Sequence, residues 1–280
     1  MPDNAALPDI GVSMDVDGIQ TNYHEIGEGD PVILLHGSGP GVTAWQNWHK
    51  ILPRLGETHR VLALDVVGFG FSPLPEGEKP GIKLWTRHLA GFIDALGLDQ
   101  VTLIGNSFGG ALALGMMAHH ADKVRSLILM GTPAGEFEQT QGLADSRSFE
   151  PNFDAMRAMM RAFPYDPSIV TDEAVAARLR VAEIASGKET IRKLQPGDEQ
   201  DVKGPRMVKG IPLEQLDAID VPVLILHGRE DKMIPLPVAF RMHEHLKRSE
   251  MHVFGQCGHW VQLERENQFL DQVRDFLRNN

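Results

Sequence analysis

The stretch Val101–Gly115, VTLIGNSFGGALALG, leaves this chain few choices. Its first half is an apolar run with the length and residue types of a buried strand, and its second half is a run of small and apolar residues at helical spacing. Between them stands Gly105-Asn106-Ser107-Phe108-Gly109-Gly110. A strand that becomes a helix within so few residues must bring two backbones into contact, and glycines permit that approach. The pattern is that of a nucleophile elbow, in which a sharp turn lifts a serine hydroxyl off the end of a sheet. Ser107 is therefore the candidate nucleophile. The N–H of Phe108 opens the helix, where amides lack intrahelical partners and the dipole favours negative charge, so it is one candidate donor to an oxyanion.

The rest of the chain supplies a sheet around that strand. Ile10–Met14 and Ile19–Ile26 alternate in strand fashion about Asp17-Gly18, a dipeptide suited to a hairpin at a sheet edge. Pro31–Leu35 and Arg60–Val66 read as strands covered on both faces. Helical spacing follows each of them, over Ala44–Leu55 and Leu84–Leu96, and Val124–Met130 adds a strand after the serine helix. Strands alternating with helices imply a parallel sheet with right-handed crossovers.

The alternation breaks between Thr132 and Ile219, where no buried strand stands out and helical patterns such as Asn152–Ala162 and Thr171–Ala185 are separated by Pro, Gly and Asp. It resumes with strands at Val221–Leu226 and Met251–Phe254, a helix at Pro237–Leu246 between them, and a terminal helix over Trp260–Arg278. The expectation is an α/β chain: residues 1–131 and 220–280 form a mostly parallel eight-stranded sheet flanked by helices, and residues 132–219 form an inserted helical cap.

Composition narrows the function. With 280 residues, 42% hydrophobic and 23% charged, the chain can bury one large core or one core with an insertion. A net charge of -11 argues against nucleic acid, whose phosphates require a basic face. No apolar run reaches the ~20 residues that span a bilayer. The opening MPDNAALPDIG has neither a basic nor an apolar signal region, so a cytoplasmic protein is expected. The lone Cys257 agrees with a reducing compartment. An acidic surface also slows anionic ligands, so a site for one must carry local positive charge.

A serine hydroxyl is a weak nucleophile near neutral pH and needs a base within reach and an acid to orient that base. Asp231 follows one late strand in Leu226-His227-Gly228-Arg229-Glu230-Asp231, and His259 follows another in Gly255-Gln256-Cys257-Gly258-His259-Trp260. Both loops fall where serine, acid and histidine occur in this chain order. Glu230 is the rival to Asp231. Cys257, with nothing nearby to activate a thiolate, reads as a packed residue. The loop His36-Gly37-Ser38-Gly39-Pro40-Gly41 offers the Ser38 N–H as the second oxyanion donor. No clustered Cys/His set suggests a metal, and no cofactor is expected.

These motifs, in this order, resemble the α/β-hydrolases over nearly the whole chain. The segments His36-Gly37-Ser38-Gly39-Pro40-Gly41-Val42-Thr43-Ala44-Trp45, Gly105-Asn106-Ser107-Phe108-Gly109-Gly110 and Cys257-Gly258-His259-Trp260 are most similar to the meta-cleavage product hydrolases, which split a carbon–carbon bond in ring-opened aromatic compounds. The resemblance implies an anionic substrate of the 2-hydroxy-6-oxohexa-2,4-dienoate type, with Asn47, Asn106 and Trp260 at its carboxylate end. It also implies a homodimer and a carboxylate-binding arginine in the cap. Arg178 fits that role, with Arg180, on another face of the same helix, as its rival. A carboxylesterase or thioesterase with the same three residues, and a non-catalytic receptor on the same fold, are the competing readings. Phe137, Phe149, Phe153, Met156, Met159, Met160 and Phe163 are the residues available to line the distal pocket.

Overall fold

The computed structural model describes residues 8–147, 152–183 and 206–280. β1 (Val12–Val16) and β2 (Ile19–Ile26) form an antiparallel hairpin, with Asp17 and Gly18 both at positive φ (52° and 84°), the backbone a two-residue hairpin turn demands. β3 (Pro31–Leu35), β4 (Arg60–Leu64), β5 (Val101–Asn106), β6 (Val124–Met130), β9 (Val223–Gly228) and β10 (Ser249–Phe254) run parallel. The sheet has eight strands in the order β1-β2-β4-β3-β5-β6-β9-β10, so the hairpin closes one edge antiparallel and the serine strand β5 lies inside.

Strand alternation gives the sheet two cores. Ile33, Leu35, Leu103, Leu127 and Leu129 face one side, against α3 (Ile82–Ala95) and α4 (Phe108–His119). Val32, Leu34, Ile104, Ile128 and Leu226 face the other, with Trp48 of α1 (Ala44–Trp48) and Leu52 of α2 (Leu52–Leu55). The sequence pattern over Ala44–Leu55 predicts one helix; the chain instead breaks between α1 and α2, ahead of Pro53, which lacks an N–H to continue a helix.

Between β6 and β9 the described chain runs through β7 (Glu136–Glu138), α5 (Gln141–Arg147), α6 (Phe153–Arg161), α7 (Asp172–Ala182), β8 (Met207–Lys209) and α8 (Leu213–Leu216). β7 and β8 pair antiparallel, a ribbon that the sequence pattern does not reveal because three residues are too few to show alternation. α9 (Leu236–His245) follows β9. The terminal segment is two helices, α10 (Val261–Glu264) and α11 (Glu266–Asn279), separated at Arg265, whose φ of -129° is outside the helical range.

Two buried histidines brace the loops at the strand ends. His36 accepts from the Val66 N–H through Nε2 (3.0 Å) and donates from Nδ1 to the Gly37 carbonyl (2.6 Å). His88 on α3 accepts from the Val67 N–H through Nδ1 (3.3 Å) and lies 2.8 Å from Thr21 Oγ1 through Nε2. Both contacts need a neutral ring, and burial lowers each pKa to about 4 from 6.5. As pH falls below the free value, the unfolded chain takes up protons that the folded chain refuses, so stability declines towards pH 4. Each group accounts for up to about 3 kcal/mol over the whole window. Urea unfolding followed from about pH 7.5 to about pH 5 is expected to show this decline, with a shallower slope in His88→Gln; equal slopes would refute the assignment.

Candidate active site

The elbow is as tight as its sequence implies. A Cβ on Gly105 would stand 2.4 Å from the Gly109 carbonyl, and one on Gly109 would stand 2.3 Å from the Leu35 carbonyl, so neither position has room for a side chain. Ser107 sits at φ 55°, ψ -112°, a conformation that costs a non-glycine residue about 1–3 kcal/mol. Its N–H donates to the Met130 carbonyl of β6 (2.7 Å), which helps hold the turn. The Phe108 and Ser38 amides donate to no other group among the described residues, and both residues border the cavity that Ser107 faces.

Asp231 and His259 meet across two loops. Asp231 Oδ1 accepts from the Met233 and Ile234 N–H groups (2.7 and 3.0 Å), which turns Oδ2 towards His259 Nδ1 at 2.7 Å. Burial works to raise the Asp231 carboxyl, but the charge and hydrogen bond of His259 outweigh it and the pKa lies below the ordinary value. The bond places the proton on His259 Nδ1 and leaves Nε2 as a base. Glu230 points elsewhere: it pairs with Arg229 (2.8 Å) and accepts from the Cys257 N–H (3.1 Å). Burial pushes the Cys257 thiol far up, so it stays protonated.

Three neighbours of this pair escape sequence reasoning. His227, fully buried, has Nε2 3.7 Å from Asp231 Oδ2 and donates from it to the Ile234 carbonyl (3.0 Å), while burial keeps the ring neutral. Gly131, directly after β6, has φ 50°, and a Cβ there would come within 2.8 Å of His259 Nδ1 and 3.1 Å of Asp231 Oδ2. Glu264 on α10 gathers the His259 loop. Its carboxylate accepts from the N–H groups of Gly258 (2.9 Å), Trp260 (3.1 Å) and Tyr165 (2.7 Å), while His259 N–H donates to the Phe163 carbonyl (2.8 Å). Only the glycine has a sequence signal, its place at a strand end.

A cavity of about 400 Å³ joins these parts. Ser107, His259 and Ser38 border it together with Asn47, Asn106, Arg178 and Trp260, so all the sequence candidates except the buried Asp231 share one space. Asn47 Oδ1 accepts from the Gly37 N–H (2.9 Å), which steadies the loop carrying Ser38, and Asn106 Nδ2 donates to the His259 carbonyl (3.2 Å). Arg178 is only 4% exposed, whereas Arg180 is exposed to solvent. Arg178 Nε donates to the Pro40 carbonyl (2.9 Å), and among the described residues no carboxylate pairs with it. Burial lowers its pKa to about 10, so it remains a cation at neutral pH. Trp260 stacks on Phe163 with ring centres 5.0 Å apart. Of the aromatic and methionine set, Met159 and Phe163 border the cavity, Phe137 and Met156 pack in the core, and Phe149 lies outside the described residues.

Gly131→Ala is expected to push His259 away from Asp231. The low-field proton resonance of a His Nδ1–H bonded to a carboxylate should disappear while the far-UV spectrum stays that of the folded chain. Hydrolytic rate should fall on the order of 10²-fold, as for other small misplacements of reacting groups. A retained resonance with unchanged rate would show that the loops absorb the methyl group.

The family model described as the alpha/beta hydrolase fold matches residues 30–266. The chain is 44% identical over 271 residues to a 2-hydroxy-6-oxo-2,4-heptadienoate hydrolase of Pseudomonas putida strain F1, covering 96% of each chain. It is 38% identical to a 2-hydroxymuconate semialdehyde hydrolase of Pseudomonas sp. strain CF600, covering 96% of this chain and 94% of that one. Among solved structures, a meta-cleavage product hydrolase from Pseudomonas fluorescens IP01, a serine-to-alanine mutant complexed with acetates, superposes with a TM-score of 0.90 at 37% identity, covering 97% of this chain and 98% of that one. Fold, motif order and relatives agree: the chain belongs to the alpha/beta hydrolase fold family and, within it, to the meta-cleavage product hydrolases.

Proposed function

We propose that this hydrolase cleaves the C5–C6 carbon–carbon bond of 2-hydroxy-6-oxohexa-2,4-dienoate-type ring-fission products, releasing 2-hydroxypenta-2,4-dienoate and a carboxylic acid. The observation that carries the reading is Arg178, a buried guanidinium without a carboxylate partner among the described residues, in the cavity that Ser107 faces. A buried charge left unpaired is costly, and an anionic substrate supplies the missing partner. A simple ester needs no such group. The named activities of the relatives support the same reading, and their heptadienoate and semialdehyde substrates favour a small group on carbon 6.

In this mechanism Arg178, Asn47, Asn106 and Trp260 hold the carboxylate end while a proton moves from the 2-hydroxyl to carbon 5, converting the dienol to its keto form. His259 then takes the Ser107 proton and the serine oxygen attacks the carbon-6 carbonyl, with Asp231 stabilising the imidazolium. The Ser38 and Phe108 amides receive the oxyanion, where removal of one such donor typically lowers rate by ~10²–10³-fold. Collapse breaks C5–C6, and the electron pair runs through the conjugated chain to the 2-oxygen, which takes up the proton from His259. Water, activated by His259, then releases the acid from Ser107. Neither metal nor organic cofactor enters these steps. The stretch between β6 and β9, of which residues 148–151 and 184–205 lie outside the described residues, acts through its described part, which lends Met159, Phe163 and Arg178 to the cavity, as a cap over the site. No helix among the described residues is long and apolar enough to cross a membrane, and the reading extends to a homodimer in the cytoplasm.

The test follows loss of visible absorbance when the protein meets ring-fission products bearing hydrogen, methyl, isopropyl or phenyl at carbon 6. Bleaching is expected to be fastest with hydrogen or methyl, abolished in Ser107→Ala, and weakened by roughly 10²-fold or more in kcat/KM in Arg178→Ala. No bleaching, with rapid hydrolysis of nitrophenyl esters that is indifferent to Arg178, would give the esterase reading its place.

A further inference from the structure

A second cavity, of about 420 Å³, adjoins the first and shares Asn47, Arg178 and Trp260 with it, while neither Ser107 nor His259 borders it. Its walls include Trp45, Met160, Val170 and Leu263, and the solvent-exposed Lys50 and half-buried His49, which also border it, give it an outer edge. Two acidic groups also border it. Asp9 is engaged, accepting from Thr43 Oγ1 (2.6 Å) and Gln46 Nε2 (2.9 Å), and Glu173 lies in the exposed first turn of α7. A largely apolar slot with a fixed buried cation in the wall it shares with the first cavity fits a small, flat, conjugated carboxylate.

We propose that this second cavity receives the carboxylate-bearing product, a short unsaturated 2-hydroxy acid anion, and is its route out of the enzyme; the inference rests on the proposed carbon–carbon cleavage. Arg178 makes the transfer feasible. Its Nε is tied to the Pro40 carbonyl, so the guanidinium stays in the wall between the two cavities and contacts both. A product retreating through the Ser107 cavity would leave the arginine buried and unpaired, and would pass the acyl group held on the serine. A product that pivots around the guanidinium keeps its ion pair until Lys50 and His49 are near, and no step strands two buried charges. Beyond that edge, the net charge of -11 repels the released anion.

Ala177 and Ala174 project from α7 into the second cavity and have no part in the first. Ala177→Leu and, as an independent filling, Ala174→Leu are compared with the wild type by stopped-flow, using the ring-fission product with methyl at carbon 6. Single-turnover bleaching should stay within about twofold of wild type, reporting a folded and competent site, while steady-state kcat falls by about tenfold and a product burst appears. Two folded variants with unchanged kcat would overturn the exit route, as would a loss shared equally by single-turnover and steady-state rates. Failure of the wild type to bleach at all would instead remove the carbon–carbon cleavage on which the route depends.

Discussion

The structure depends on one close approach, the packing of the start of α4 onto the end of β5 at Gly105 and onto the end of β3 at Gly109, with no side chain between the backbones. That contact forces Ser107 into a left-handed backbone, which no local interaction favours. The strain persists because both partners of the turn are embedded in a sheet with a core on each face, and unfolding either would expose many buried apolar side chains. The serine is thus held by the packing of the whole sheet, while its own contacts remain few.

Around the serine, the loops are fixed by polar atoms deep in the protein. Asp65, at the end of β4, accepts from the Ala44 and Phe71 N–H groups and from Asn22 Nδ2 (2.7, 2.9 and 2.9 Å). It thereby joins the start of α1 to the loop after β4, and α1 carries Asn47, which holds Gly37. Burial raises the Asp65 carboxyl to about 7 against the pull of those donors. On the other flank Glu264 ties the His259 loop to Tyr165. Each bond is modest, yet a loop pinned at several points has little freedom left, and this is what preorganised catalysis requires.

Much of this was legible in the sequence. β3, β4, β5, β6 and β9 show as apolar runs, because a strand buried on both faces has no solvent side to dilute its pattern, while the edge hairpin of β1 and β2 shows by its alternation about Asp17-Gly18. The positions of Ser107, Asp231 and His259 in the turns and loops after β5, β9 and β10 were readable because the turn chemistry around each is local. Gly131 and Glu264 were not, since the methyl group that Gly131 excludes would strike a histidine 128 residues away and Glu264 reaches back to Tyr165, and His227 was not because nothing in its local pattern sets it apart from any other buried strand residue. The breaks between Trp48 and Leu52 and at Arg265 escape the sequence pattern because apolar residues keep helical spacing through both while the helices themselves are interrupted. Between Arg178 and Arg180, helical geometry predicts different faces, and burial distinguishes them.

The short β7–β8 ribbon has a consequence for how such a chain can change. It pairs Glu136 with Lys209 and Glu138 with Met207, so the excursion that leaves the sheet after β6 is drawn together again before the chain reaches β9. Lengthening a loop already closed at its base adds little entropy, since the cost grows only with the logarithm of its length. The two strands therefore act as a graft point. Helices beyond them can be replaced, extended or shortened through evolution, altering which molecules are admitted, while the sheet below keeps its register and the serine its strain.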